Sequence, residues 1–109
     1  MNQAELLTAL KSLGLPVAYS EFVDTLENPA PSPPYITYQS TSDSDFKADN
    51  QNYVDIGNYQ VELYTKKKDL VTEKKVQDLF KSLRIPYARA ESKIESEGLF
   101  QVVYLIQII

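Results

Sequence analysis

The sequence predicts an α+β fold in which two helices pack on one face of a mainly antiparallel sheet of about five strands. Three observations lead to it: two segments with helical apolar spacing, several strand-like segments between and after them, and the length of the chain. Its 109 residues are enough for one hydrophobic core but too few for a second domain. We therefore expect a single domain, residues 1–109, with the element order α-β-β-β-α-β-β.

Each predicted helix is marked by an apolar stripe. The first is expected over residues 3–13, where leucines recur at helical spacing until Gly14 and Pro16 end the helix. The second follows Thr72, which we expect to cap it. Its stripe consists of Val76, Leu79, Phe80 and Leu83.

The two helix ends resemble each other. Residues 11–19 and 81–89 align without a gap, and each passes from the helix end through a proline into a strand. The similarity suggests two helix-strand units packed side by side. Convergence is the alternative, because leucine near a helix end and proline after it are common.

The strands are expected at residues 16–22, 35–40, 53–65, 87–95 and 99–109. Inside the long third strand the inward-facing set changes phase at Gly57 and Asn58, which predicts a bulge or a tight bend. The last two strands form a hairpin that turns at residues 96–98. Because the last strand is apolar on both sides, it is central or is covered by a partner.

With both helices on one face, the second face of the sheet is left to solvent or to another molecule. The eight tyrosines suit such a surface, because tyrosine is both apolar and polar. Tyrosine also favours strands for its own sake, so several of them can equally be ordinary strand residues.

Composition excludes much chemistry. The chain has no Cys and no His, so it lacks thiolate nucleophiles, disulfides and the commonest metal ligand and general base. We expect no cofactor and no enzyme activity, although catalysis by a pair of carboxylates stays open as an alternative. The start of the chain has no signal-peptide pattern and no run is apolar enough to span a membrane, so an intracellular soluble protein is expected.

Residues 41–52 carry three acids, Asp43, Asp45 and Asp49, which invites a calcium-site interpretation. The segment lacks the glycine and the final bidentate glutamate that a calcium-binding EF-hand loop needs, so no metal is expected. A solvated, mobile loop with Phe46 as its apolar anchor is favoured. Such a loop can dock on a partner.

The charges are divided into blocks, although the whole chain has a net charge of only −4. Residues 21–62 hold eight acids and one base, a net charge of −7, and residues 66–93 hold nine bases and four acids, a net charge of +5. The basic block includes Lys66, Lys67, Lys68, Lys74 and Lys75, but it contains no nucleic-acid motif, and interspersed acids favour a solvated face.

If the two blocks lie on different sides of the fold, the acidic side of one subunit can meet the basic side of the next. Such a heterologous contact closes into a ring when the rotation allows. If the blocks interleave in space, their separation along the chain has no such meaning.

Several segments together resemble a known family: Leu13-Gly14-Leu15-Pro16-Val17-Ala18-Tyr19, Pro33-Pro34-Tyr35-Ile36-Thr37-Tyr38, Ala48-Asp49-Asn50, Tyr59-Gln60-Val61-Glu62-Leu63-Tyr64-Thr65, Lys68-Asp69 and Glu97-Gly98-Leu99-Phe100-Gln101-Val102-Val103-Tyr104. The chain is similar to the small tail-completion proteins of Gram-positive siphophages and prophages. The resemblance covers nearly the whole chain and consists of structural residues.

This resemblance implies a tail terminator or head-tail joining subunit, a non-enzymatic structural protein. In that group a hexameric ring caps the tail tube and offers its other surface to the head connector or a head-completion protein. The partners implied are thus further copies of the chain, the tail tube protein and the head connector, with no specific nucleic acid and no membrane. The implied location is the host cytoplasm during assembly and the tail or neck of the virion afterwards.

Two candidate surfaces follow as hypotheses. A partner-docking loop or lumen surface comprises Asp43, Asp45, Phe46, Asp49 and Asn50, and a subunit interface comprises Lys66, Lys67, Lys68, Tyr59 and Tyr64. The alternative function is a stand-alone module that binds a protein or peptide on its open sheet face.

Overall fold

The structure is a computed structural model that describes the backbone of residues 1–43, 46–48, 51–54 and 56–109 and the side chains of residues 1–41 and 56–109. These ranges contain two helices and a five-stranded, mostly antiparallel sheet, so the predicted α+β class and element order are confirmed. Its elements are α1 (Gln3–Lys11), β1 (Val17–Tyr19), β2 (Tyr35–Asp43), β3 (Phe46–Ala48), β4 (Gln51–Val54), β5 (Gly57–Thr65), α2 (Leu70–Ser82), β6 (Tyr87–Ile94) and β7 (Leu99–Ile108).

The main sheet has the strand order β1-β2-β5-β7-β6. β1 runs parallel to β2, and every other neighbouring pair is antiparallel. The predicted hairpin is confirmed, because β6 pairs with β7 along its whole length and Gly98 takes a positive φ of 64° in the turn. β7 lies between β5 and β6, as expected of a strand that is apolar on both sides.

One continuous core joins the helices to one face of the sheet. Alternate residues of β2, β5 and β7 point toward the helices, as the period of two requires. The buried apolar side chains include Leu6 and Leu10 from α1, Val76 and Phe80 from α2, and Ile36, Val61, Leu63, Val102, Tyr104 and Ile106 from the sheet.

The helix caps differ from the prediction at one point. Asn2 caps α1 and forms a reciprocal capping box with Glu5. α2 is capped by Asp69 and not by Thr72. Both the backbone N–H and the hydroxyl of Thr72 donate to the Asp69 carboxylate, at 3.0 and 2.7 Å, so Thr72 lies inside the first turn.

The long strand expected at residues 53–65 is divided. β4 ends at Val54 and pairs with β3 in a separate two-stranded sheet, and β5 begins at Gly57. The register shift lies in the partner strand β2, between Ser40 and Ser42, opposite Tyr59 and Asn58. Residues 41–52, expected to form a loop, therefore contain the end of β2, β3 and the start of β4. The composition of this segment suggested a solvated loop, but its backbone groups pair locally between β3 and β4.

The prediction that the two helix-strand units pack side by side is wrong for their strands. β1 and β6 are the outer strands at opposite edges of the main sheet, with three strands between them. The helices do share one layer, since both contribute to the same core.

Candidate interaction surfaces

The second face of the sheet carries no helix and is built from three rows of directly paired residues. The registers place them as Tyr35, Tyr64, Gln101 and Ser92, then Thr37, Glu62, Val103 and Ala90, then Gln39, Gln60, Leu105 and Ala88. We call these twelve residues the open face. It is polar toward β2 and β5 and becomes apolar toward β6, where Leu105 is 51% exposed.

A buried carboxylate lies at the centre of the open face. Glu62 is only 8% exposed, and it accepts hydrogen bonds from the Thr37 hydroxyl at 3.1 Å and the Gln60 amide at 2.6 Å. The Tyr64 hydroxyl donates to it at 2.5 Å and the Gln101 amide at 3.3 Å. These neutral donors replace the water that a carboxylate loses on burial, so Glu62 holds four side chains on three strands in one arrangement.

Burial and the hydrogen bond to Glu62 together raise the pKa of Tyr64 well above its usual value, so the hydroxyl stays a donor at every physiological pH. The Tyr64 ring stacks on Tyr35, with centroids 5.0 Å apart, and Tyr35 meets Phe22 edge to face at 5.3 Å. Through Phe22, the segment between β1 and β2 is attached to this side of the sheet.

Two grooves border the open face. One of about 310 Å³ lies between the β1–β2 connection and the sheet, and its lining includes Phe22, Tyr35, Tyr64 and the acidic side chains Glu21 and Glu97. The other, about 530 Å³, lies at the far end of β5 and β7. Its lining is mainly apolar and includes Tyr59, Pro86, Tyr87, Leu105 and Ile106.

On the helix side a second buried carboxylate connects α2 to the edge strand β6. Glu73, whose side chain is 4% exposed, contacts Arg89 at 2.5 Å and Lys68 at 2.9 Å. Lys68 also reaches Glu91 at 2.8 Å. Hydrogen bonds to Glu73 and Glu91 raise the pKa of Lys68, and the Lys68 ammonium in turn lowers the pKa of Glu91.

The predicted subunit-interface residues lie in different environments. Lys66, Lys67 and Lys68 are all exposed, but Lys68 also forms ion pairs with Glu73 and Glu91 of the same chain. Tyr64 lies on the open face, and Tyr59 lies on the helix side, buried, with its hydroxyl donating to Gln3 at 3.2 Å. Their role between subunits stays a prediction.

The predicted docking loop is described only in part. The backbone of Asp43 ends β2 and that of Phe46 begins β3. Asp45, Asp49 and Asn50 lie outside the described residues.

Two exposed apolar patches were missed by the sequence analysis. Leu70 and Val71, each 69% exposed, open α2 on the side away from its core stripe. Val23 is 70% exposed and Leu26 is fully exposed in the connection between β1 and β2. The available signal was their position in the sequence: all four are apolar residues outside any predicted strand or helix stripe, and three of them adjoin an acidic residue.

Across the ranges that the structure describes, no group of three or more acidic side chains is placed to hold a metal ion. Neither helix within those ranges has the length and apolar character needed to cross a membrane. A comparison with protein-family models and a comparison with curated proteins each gave no match.

Proposed function

We propose that this protein is a tail terminator or head-tail joining subunit of a siphophage or prophage, which forms a ring that caps the tail tube and meets the head connector. The observation that carries the proposal is the asymmetry of the sheet: within the described part of the chain both helices pack on one face, no helix lies on the open face, and the edge strand β6 is largely exposed. A subunit that must contact neighbours and a tube needs such surfaces, and the sequence resemblance points the same way.

The Glu62 network suits this task. A contact surface on a sheet works best when its polar groups are held rigidly, because then binding costs little side-chain entropy. Glu62, Thr37, Tyr64 and Gln101 are held by one another on β2, β5 and β7. Beside them, Leu105 and Val103 supply apolar area that a partner can cover.

The direct test mixes the purified protein with the polymerising tail tube protein of the same phage or prophage. We expect tubes of limited length with a ring at one end, visible by electron microscopy. The variant Ala90→Lys places a charge on the open face and should abolish capping, and Ala4→Lys makes the same substitution at an exposed position of α1 and should leave it intact. Unlimited tube growth in the presence of the unaltered protein would reject the function.

The acidic segment provides a second test. Replacing Asp43, Asp45 and Asp49 by Ala should impair joining of heads to tails while the circular dichroism spectrum stays unchanged. Normal yields of infectious particles from this triple variant would remove the segment from the docking surface.

A stand-alone binding module is the competing function. The edge strand β6, eight residues long, favours this function: its outer edge pairs with no strand among the described residues, and an extended peptide can add to such an edge. Such a module would be monomeric or dimeric and would not associate with tails, so the tube experiment separates the two.

A further inference from the structure

Two exposed patches of this chain match each other in both charge and apolar character. The basic patch consists of Leu70 and Val71 with Lys66, Lys67, Lys74 and Lys75. The acidic patch consists of Val23 and Leu26 with Glu21, Asp24 and Glu27. We propose that the acidic patch of one copy docks on the basic patch of the next, as the contact that joins subunits head to tail. This deepens the proposed ring and rests on it for its biological setting.

The basic patch is formed by the start of α2. Leu70 and Lys74 are four residues apart, as are Val71 and Lys75, so each apolar side chain has a lysine above it on the same side of the helix. Lys66, Lys67 and Lys75 form no ion pair with any residue that the structure describes, and Lys74 pairs only with the exposed Asp78. The patch therefore presents two exposed apolar side chains among four lysines, which outnumber the neighbouring acids Asp69 and Asp78 and leave the patch with a net positive charge.

The acidic patch is held in shape by its own hydrogen bonds. The Asn28 backbone N–H donates to the Thr25 hydroxyl at 2.9 Å, and the Ala30 N–H donates to the Asp24 carboxylate at 3.0 Å. These bonds close a turn that carries Leu26 at its fully exposed tip. A preformed turn loses less entropy on docking than a flexible one.

The segments that carry the two patches are attached to opposite faces of the sheet. Phe22 fastens the acidic segment against Tyr35 of the open face, whereas Glu73 fastens α2 against the helix side. When the acidic patch of one copy contacts the basic patch of another, each copy keeps one patch free, so the contact can repeat from copy to copy in one direction. That is the heterologous geometry from which rings are built.

The choice of a second copy as the occupant follows from this complementarity. The acidic patch has an exposed leucine and valine with acids beside them. The basic patch has an exposed leucine and valine with lysines beside them. Burying the apolar pairs supplies affinity, and the charges select the partner and the direction. Because the charges sit at the rim, the contact weakens as salt rises.

The experiment uses two variants and their mixture, analysed by sedimentation velocity at low salt. The first variant carries Val23→Asp and Leu26→Asp, and the second carries Leu70→Asp and Val71→Asp. Both sites are exposed, and acidic residues are favourable in a first helical turn, so both variants should fold. We expect the unaltered protein to form assemblies several times the monomer mass and each variant to remain monomeric.

The mixture is decisive. Each variant keeps the patch that the other has lost, so an equal mixture should form a heterodimer and nothing larger. Assembly of either variant alone at the unaltered size would overturn the proposal, and so would a mixture that stays monomeric. Monomeric behaviour of the unaltered protein would also overturn it, including the case in which it instead binds anionic lipid vesicles through its lysines.

A charge test supplies the matched control. Reversing Lys74 and Lys75 to Glu should weaken assembly at least tenfold, whereas reversing Lys11 and Lys81 changes the net charge equally outside both patches and should not. Equal weakening by both pairs would overturn the contact. Assembly with these properties but without capping of tail tubes would uphold the contact and reject the proposed function.

Discussion

In both helix-strand units the chain leaves the helix with the same backbone geometry, but the strands that follow differ. Gly14 and Arg84 occupy equivalent positions, with φ values of 81° and 57°, and each donates its N–H at 3.1 Å to the carbonyl of Lys11 or Lys81. After this shared exit, β1 is three residues long and parallel to β2, whereas β6 is eight residues long and antiparallel to β7. Helix-exit geometry is thus local, and the length and direction of the following strand depend on its partner.

The attachment of each helix differs as well. α2 is connected to the strand that follows it by the buried Glu73 and by Arg89 of β6. No ion pair connects α1 to β1 among the described residues, and α1 is held by its apolar side chains and by the bond between Tyr59 and Gln3. The attachment of the second unit should therefore respond to charge, whereas the attachment of the first should depend mainly on apolar packing.

The largest effect is expected from removing the carboxylate that connects α2 to β6. Glu73→Ala leaves Arg89 and Lys68 without their buried partner and should lower the free energy of unfolding by about 2–3 kcal/mol, measured by urea denaturation. Asp78→Ala breaks only the exposed pair with Lys74 and should cost less than about 0.5 kcal/mol. Equal losses from the two variants would show that Glu73 contributes no more than a surface charge.

A smaller loss is expected at the first exit. Gly14 holds a left-handed conformation and a β-carbon added there would meet no atom within 4 Å, so Gly14→Ala changes backbone strain without a clash. It should destabilise the protein by about 1 kcal/mol in thermal unfolding. An unchanged melting temperature would mean that the loop relaxes into another conformation.

The second exit should respond with the opposite sign. Arg84 adopts the left-handed conformation with a side chain present, so Arg84→Gly removes strain. The gain is expected to be below about 1 kcal/mol, because glycine also increases the entropy of the unfolded chain. Gly14→Ala and Arg84→Gly measured together test whether the two exits are equivalent, and a loss of stability in both would show that they are not.

The smallest effect concerns the two helix caps and pH. Hydrogen bonds from Thr72 hold the pKa of Asp69 below its ordinary value, so this cap stabilises the fold fully above the unfolded pKa of about 4 and its contribution is lost as pH falls through the lowered folded value. Asp69→Asn keeps the cap but cannot titrate. We expect its melting temperature to fall less than that of the unaltered protein between pH 6 and pH 3.

The control for the cap comparison is Asn2→Asp in α1, which replaces the neutral N-cap side chain with one that titrates. Its melting temperature should fall more steeply on acidification than that of the unaltered protein. If Asp69→Asn and the unaltered protein lose stability in parallel, the acid sensitivity arises elsewhere.

Much of the fold could be predicted because local patterns are strong in this chain. The helix stripes, the terminal hairpin with Gly98 in its turn and the alternation of Val61, Leu63, Val102 and Tyr104 each follow from a short-range rule. The wrong prediction for the cap of α2 arose where two local signals compete. Asp69 displaced Thr72 as the cap because a carboxylate three residues before Thr72 accepts both of its donors.

The candidate surfaces were far less predictable. The alternation of β5 predicts only that Glu62 points away from the helices. The registers of β2, β5 and β7 are what bring Thr37, Tyr64 and Gln101 around it. In the same way, Lys68 belongs to a run of three lysines in the sequence, but in the fold it forms ion pairs with Glu73 and Glu91.

The sequence by itself determined the α+β class, the helix exits and the separation of charges along the chain, because these depend on residue order alone. Tertiary structure decided that the two strands β1 and β6 end at opposite edges of the sheet, that two carboxylates become buried, and that Leu26 and Leu70 stay exposed among the described residues. Those outcomes depend on which strands pair and on what each helix covers, and both are set by contacts between residues far apart in the chain.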